Sequence, residues 1–423
     1  MGVAMCRPLG DRLPAALHPG VARATSFALF LLIATLLFGG MHAYLWARLV
    51  RDTALSYGWR RGLGLALVVA AIGVPLGMFL LRALPRDATR LIAPLLFGWM
   101  GASFLLFAAL LTTDALRLLA GAWSWASSAL GQAPSPPPDP SRRAFVARAT
   151  AGAAVAAAGF GTGLAVRTAL DPPLVREVGI HIPRLPPALS GLTVAQISDL
   201  HVGYTIGERD VRRVVELTNA LRPDLVAITG DLVDGTVDEL GAAIAALGRL
   251  EAPRGVYFVT GNHEYYSGVR AWVEELSRLG IRVLRNECVQ VGDRGPGGAT
   301  IDLAGVDDAG SRRFGGGADL QRALSGRDEE RALVLLAHQP RTDAVGEAVR
   351  RGVDLQLSGH THGGQIFPWT YLVGAMFPYL NGLYRRAEGG REGQVYVSPG
   401  TGYWGPPMRL GVPAEITKLV LAP

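Results

Sequence analysis

The chain has 423 residues, 49% of them hydrophobic, and a formal net charge of +6, which excludes a single ordinary domain and disfavours a wholly soluble protein. Residues 1–170 carry a balance of +10 and residues 171–423 one of −4, so the basic excess lies in Arg residues between apolar runs. There it is a signal of membrane topology, and the slightly acidic second half gives no support to nucleic-acid binding.

Three apolar runs come first, at 26–47, 62–81 and 91–112, each about the ~20 residues that span a hydrocarbon core as a helix. Short loops bearing Arg48, Arg51, Arg60 and Arg61, then Arg82, Arg86 and Arg90, separate them. A segment around Leu116–Leu130, with Trp123 and Trp125, either lies in the membrane interface or extends the third helix. Residues 1–130 are thus expected to form a multispanning all-α membrane region. The Pro-rich stretch Gly131–Pro140 reads as a semi-rigid linker, ending at the paired Arg142 and Arg143. Residues 144–170 are either a fourth spanning helix or the weakly hydrophobic core of a twin-arginine-like export signal. Both readings put residues 141–143 in the cytoplasm and the second half outside it, anchored to a bacterial cytoplasmic membrane; the Arg tally of the loops leaves a cytoplasmic second half as the alternative. Cys6 and Cys288 cannot form a disulfide framework.

From Leu192 the pattern changes to short β-branched runs alternating with amphipathic helices. Strands are predicted at 192–198, 224–229, 255–260, 301–306, 332–337, 353–358, 394–398 and 416–421, and helices at 208–221, 237–250, 269–279, 317–325 and 342–351. Such alternation predicts an α/β domain over 171–423, its sheets covered by helices.

Six of the eight histidines lie in this half, five of them just after predicted strands, where open α/β sheets build their sites. His181 precedes the first predicted strand and reads as a surface or linker residue. The segments are Asp199-Leu200-His201, Gly230-Asp231, Gly261-Asn262-His263-Glu264, His338 and Gly359-His360-Thr361-His362-Gly363-Gly364. Asp, His and Asn offer oxygen and nitrogen ligands and no thiolate, a set that suits Mn, Fe or Zn. Residues two apart on an extended segment project to the same side, so His360 with His362, and Asp199 with His201, can each reach one cluster.

In this order the segments resemble the calcineurin-like metallophosphoesterases, whose pattern is DxH, GD, GNH(E/D), H and GHxH. Ser398–Pro406 and Gly363-Gly364-Gln365-Ile366 make the chain similar to the small membrane-tethered bacterial phosphodiesterases of that family. The resemblance implies a four-layered α/β/β/α sandwich with two divalent transition-metal ions at one edge. Asp199, His201 and His362 would hold the first ion and Asn262, His338 and His360 the second, with Asp231 bridging. His263 would face the substrate as a general acid, oriented by Asp234. Gly235 stands where protein serine/threonine phosphatases carry Arg, which sets the chain apart from them. The expected activity is hydrolysis of a phosphomonoester or phosphodiester by a metal-bridging hydroxide, with a phosphoester substrate and the bilayer as partners. A transport or sensing protein and a non-catalytic metal scaffold are the alternatives; oligomeric state stays open.

The uncharged aromatic segment Ile366–Tyr384 follows His362 directly. It is either a loop packed on the domain or an apolar lip for lipid-like substrates, with Trp369 and Phe377 as its candidate residues.

Overall fold

The computed structural model describes residues 19–81, 84, 86–130, 139–293 and 298–423. Cys6 and residues 131–138 of the Pro-rich stretch lie outside them. Four long helices come first: α1 (Pro19–Trp46), α2 (Tyr57–Leu80), α3 (Arg86–Ala129) and α4 (Pro140–Leu170). All four are long and apolar enough to cross a membrane, over Leu32–Arg51, Tyr57–Leu80, Ala88–Ser127 and Ser141–Leu170. Leu116–Ala129 continues α3, and Arg142 and Arg143 stand in the first turn of α4.

The chain divides into two units, one of Met1–Arg82 with Gly121–Ala151, the other of Ala83–Ala120 with Gly152–Pro423. In the first, Arg148 donates from Nε to Thr53 O at 2.8 Å and from Nη2 to Ala54 O at 3.3 Å. The turn between α1 and α2 is thereby tied to the start of α4. Arg48 and Arg51 precede that turn, and Arg142 and Arg143 stand at the start of the same helix as Arg148.

In the second unit the strands are β1 (Leu174–His181), β2 (Thr193–Ile197), β3 (Leu225–Ile228), β4 (Val256–Phe258), β5 (Arg282–Val283), β6 (Glu287–Gly292), β7 (Thr300–Gly305), β8 (Leu333–Leu336), β9 (Leu355–Ser358), β10 (Gly382–Glu388), β11 (Arg391–Val397) and β12 (Glu415–Ala422). Between them lie α5 (Glu208–Ala220), α6 (Val237–Ile244), α7 (Asn262–Ser267), α8 (Val269–Arg278), α9 (Leu320–Ala323), α10 (Thr342–Arg350) and α11 (Trp369–Met376). They form two six-stranded sheets, in the orders β1-β12-β2-β3-β4-β5 and β10-β11-β9-β8-β7-β6.

Strand periodicity explains the layering, because successive side chains point to opposite faces. Ala195, Ile197, Val226 and Ile228 face one core with Val211, Val214 and Val215 of α5 and Trp272 of α8. Their neighbours Val194, Leu225 and Ala227 face the other way, onto Ile301, Leu303, Val334, Leu336, Leu355 and Leu357 of the second sheet. Ala304, Leu333 and Leu335 turn outward again, beneath Ala323 of α9 and Ala348 of α10. The result is the expected α/β/β/α sandwich.

His181 is not a linker residue ahead of the first strand: it ends β1, paired with Ala422 and exposed. Strand β1 is largely exposed, so its sequence lacks the apolar run that marks the inner strands. Ile366–Tyr384 likewise contains a helix, α11, none of whose residues is buried.

Candidate metal centre

The site lies where the carboxyl ends of strands from both sheets meet. Asp199 and His201 follow β2, Asp231 follows β3, and Asn262 and His263 follow β4 as the first residues of α7. His338 follows β8, and His360 and His362 follow β9. Asp199, His201, Asp231, His360 and His362 all have positive φ, between 50° and 74°. For residues other than Gly this left-handed conformation is uncommon and costs on the order of 1–3 kcal/mol each. Five such residues gathered at one point mark a site that the surrounding fold holds in place.

The ligand atoms of Asp199, His201 and His362 lie within 4.8 Å of one another, as do those of Asp231, His338 and His360. His201 Nε2 is 3.1 Å from His362 Nε2 and 3.9 Å from Asp231 Oδ2, and His338 Nε2 is 3.0 Å from the same Asp231 oxygen. The Asp231 carboxylate thus stands between the two groups. Asn262 Oδ1 is buried without a hydrogen bond, and a buried polar atom left unpaired is costly. A cation would satisfy that oxygen, and the nitrogen and oxygen atoms around it are of the kind divalent ions take, so the residues present fit a pair of such ions.

The supporting contacts set the tautomers. His338 Nδ1 donates to Thr229 O at 2.7 Å, and His201 Nδ1 to Asp234 Oδ1 at 3.2 Å. With Nδ1 so occupied, each ring turns its Nε2 inward, the arrangement by which outer groups orient metal-binding imidazoles. Burial first, then the charge on His338, presses the His360 pKa down to about 3. Burial with the charges of His201 and Arg409 keeps His362 well below its ordinary value. Both imidazoles are therefore neutral donors. Asp231 is fully buried, which alone would raise its pKa, but His338 and the other imidazoles around it hold it well below the usual range.

His263 behaves differently. Its Nδ1 is 2.5 Å from Asp234 Oδ1, its backbone N–H donates to Asp231 Oδ1 at 2.9 Å, and its Nε2 lies 4.0 Å from Asp231 Oδ2. Burial would lower its pKa, but the hydrogen bond to Asp234 and the Asp231 and Asp234 charges push it up to about 9. A protonated imidazole therefore stands at the rim, flanked by the exposed rings of Tyr266 and Trp404, with centroids 5.4 and 5.6 Å away.

Of the two lip candidates, Phe377 lies beside the centre, its ring 5.4 Å from that of His360. Trp369 instead meets Phe104 of α3 edge-on at 5.6 Å. Phe377 also lines a cleft of about 690 Å³ with Met376, Pro378, Arg341, Arg350 and Arg386.

Two supporting residues have roles that the sequence did not assign. Glu264 accepts from the backbone N–H groups of Asp231 (3.0 Å), Leu232 (2.7 Å) and Gly261 (2.7 Å). Arg409 is wholly buried, its guanidinium donating to the carbonyls of Gly402, Pro399, Gly400 and Val412 beside His362. Asp234 meets two imidazoles, His201 and His263, where the resemblance implied only His263.

Comparison with known proteins agrees with this geometry. The family profile "Calcineurin-like phosphoesterase" matches residues 192–364. A zebrafish (Danio rerio) "Transmembrane protein with metallophosphoesterase domain" is 43% identical over 60% of this chain, a match that takes in 58% of the zebrafish protein's length. An "Uncharacterized metallophosphoesterase" of Aquifex aeolicus is 35% identical over 58% of this chain and 91% of its own. Among solved structures, the NAD nucleotidase of Haemophilus influenzae superposes with a TM-score of 0.35 at 17% identity, over 50% of this chain and 51% of that one. On these motifs and relatives, the chain belongs to the calcineurin-like metallophosphoesterase family.

Proposed function

We propose that the chain is a membrane-anchored, two-metal hydrolase of phosphoric esters. The observation that carries this reading is the pair of clusters, Asp199 with His201 and His362, and Asp231 with His338 and His360, beside a buried and unpaired Asn262 Oδ1. Asp199, His201 and His362 would hold one ion and Asn262, His338 and His360 the other. Two divalent cations of the Mn, Fe or Zn type supply Lewis acidity at phosphoryl oxygens and lower the pKa of water at the centre.

The chain's own groups do the rest. His263, charged at neutral pH, holds a proton at the mouth of the site and donates it to the departing ester oxygen, a contribution of roughly 10²–10⁴-fold for a general acid. Asp234 keeps that proton in place by fixing Nδ1, leaving Nε2 as the donating atom. The rings of Tyr266 and Trp404 narrow water's access to it.

The test is hydrolysis of matched nitrophenyl phosphate mono- and diesters by the full chain in nanodiscs, loaded with Mn²⁺. His263→Ala should lower turnover about 10²-fold or more with metal content unchanged, whereas Asp231→Asn should lose both. Wild-type turnover that survives both substitutions would sink the assignment.

The membrane orientation rests on Arg48 and Arg51 before the turn between α1 and α2 and on Arg142, Arg143 and Arg148 at the start of α4, where Arg148 ties the two together. Positive residues favour the cytoplasmic side, so α4 leads the sandwich to the extracytoplasmic face of the cytoplasmic membrane. A C-terminal alkaline phosphatase fusion should be active and a C-terminal fluorescent-protein fusion dark; the reverse pattern would invert the orientation.

A further inference from the structure

Helix α11 joins the metal centre to the membrane-length helices. It is eight residues long, uncharged, and buries none of them; Tyr371 is 74% exposed and Met376 67%. Trp369 at its start packs edge-on against Phe104, inside the apolar stretch of α3. Around that contact Leu105 of α3, Ala158 and Ala165 of α4, and Ile366 and Met408 of the sandwich form one buried cluster. The backbone N–H of Arg409 donates to Ala165 O at 2.8 Å, fixing this face of the sandwich to α4. Ala165 lies about 7.5 Å of helix rise before the end of α4 at Leu170, where a spanning helix meets the interface. Just past the other end of α11, Phe377 stands against His360.

We propose that α11 lies in the outer interfacial layer of the bilayer beside α3, and that the substrate is an amphiphilic phosphoester whose apolar part stays in the membrane. The proposal rests on the two-metal reading above and names its substrate class. Bilayer is the occupant that the contacts favour, because the exposed face of α11 continues the apolar surface of α3. An exposed uncharged helix of aromatic and aliphatic residues gains from leaving water for that layer. An ester anchored there presents its phosphate next to Phe377 with its chains still in lipid. Hydrolysis then forms a P–O bond from water and breaks the ester P–O bond, and the alcohol leaves with the proton from His263 while remaining in the membrane.

The experiment uses the full chain in dioleoyl phosphatidylcholine vesicles. For depth, Cys6 and Cys288 are replaced by Ser, and an environment-sensitive fluorophore is attached to Tyr371→Cys or, as control, to Glu330→Cys. Brominated lipids should quench the label at 371 and spare the control; equal quenching at both sites, or none at 371, would overturn the placement. For substrate class, dioleoyl phosphatidic acid and dioleoyl phosphatidylglycerol are compared with soluble nitrophenyl phosphate esters. At least one lipid should be cleaved, and Tyr371→Asp with Leu372→Asp should cut its turnover tenfold or more, leaving the soluble ester unchanged. Equal effects on both, or soluble turnover with neither lipid cleaved, would overturn the substrate class. A quenched label with no turnover of any ester would instead count against the two-metal reading and leave the placement standing.

Discussion

A methyl group on Gly261 would overlap the Asp231 carboxylate and backbone N–H, and one on Gly359 would overlap Ser198 Oγ and Asp199 Oδ2. Neither neighbour can give way, since both carboxylates are already fixed. Asp199 accepts from His360 N at 2.9 and 3.0 Å and from Ser198 Oγ at 2.5 Å, while Asp231 accepts from His263 N. Gly261→Ala is therefore expected to displace the Asp231 carboxylate and destabilise the fold by about 1–3 kcal/mol, as overpacking in a tight core does. Metal content after dialysis, read with the melting temperature, checks it; unchanged metal stoichiometry would show that Asp231 can move. At this scale the sequence was most informative, because Asp, His and Asn next to Gly at strand ends are chemically specific. Arg409 was not legible: a buried guanidinium looks like a surface Arg in one dimension, and such residues are almost never fully buried without partners. Its partners are main-chain carbonyls, which any sequence supplies.

Among the elements, α7 is the one that links fold and chemistry. Its first residues, Asn262 and His263, carry functional groups, and Gly261 is its N-cap, with the Glu264 carboxylate accepting from the N-cap N–H. The same carboxylate reaches Asp231 N and Leu232 N, so one side chain ties the start of α7 to the loop after β3. Glu264→Ala would leave three backbone N–H groups unpaired in a buried place, at roughly 1–3 kcal/mol for each unsatisfied group. A fall in melting temperature together with weaker Mn²⁺ retention is expected, measured by calorimetry and metal titration; full retention would confine Glu264 to helix capping. The inner strands were legible because β3 and β8 are apolar over their length, β2 carries Val194, Ala195 and Ile197, β9 carries Leu at alternate positions, and all four are buried on both faces. β1 and β10 stand at sheet edges with charged residues interleaved, and β5 is only two residues long, so none shows that pattern. α7 is too short for a 3.6-residue period to emerge, and α11 has no buried face to alternate with an exposed one.

At the scale of the whole molecule, the boundary between membrane region and catalytic region is not where composition changes. Composition shifts near residue 171, yet the packed unit of the sandwich takes in Ala83–Ala120 and Gly152–Leu170 as well. Hydropathy cannot show this, because an apolar helix facing protein and one facing lipid have similar sequences. The contacts do: Met408 is wholly buried, and a methyl group on Gly101 of α3 would overlap its sulfur. Ile366 is buried in the same cluster as Leu105 and Ala165. A fragment of residues 171–423 loses all of these helix partners and exposes Ile366, Met408 and Leu410 together, next to the already exposed α11. Contiguous apolar surface of that kind drives association with lipid or with itself. The fragment should therefore float with phosphatidylcholine vesicles, and Ile366→Ser with Met408→Ser should shift it toward the soluble fraction. If the unmodified fragment instead remained monomeric and unbound, these helices would be tethers and not part of the folded unit.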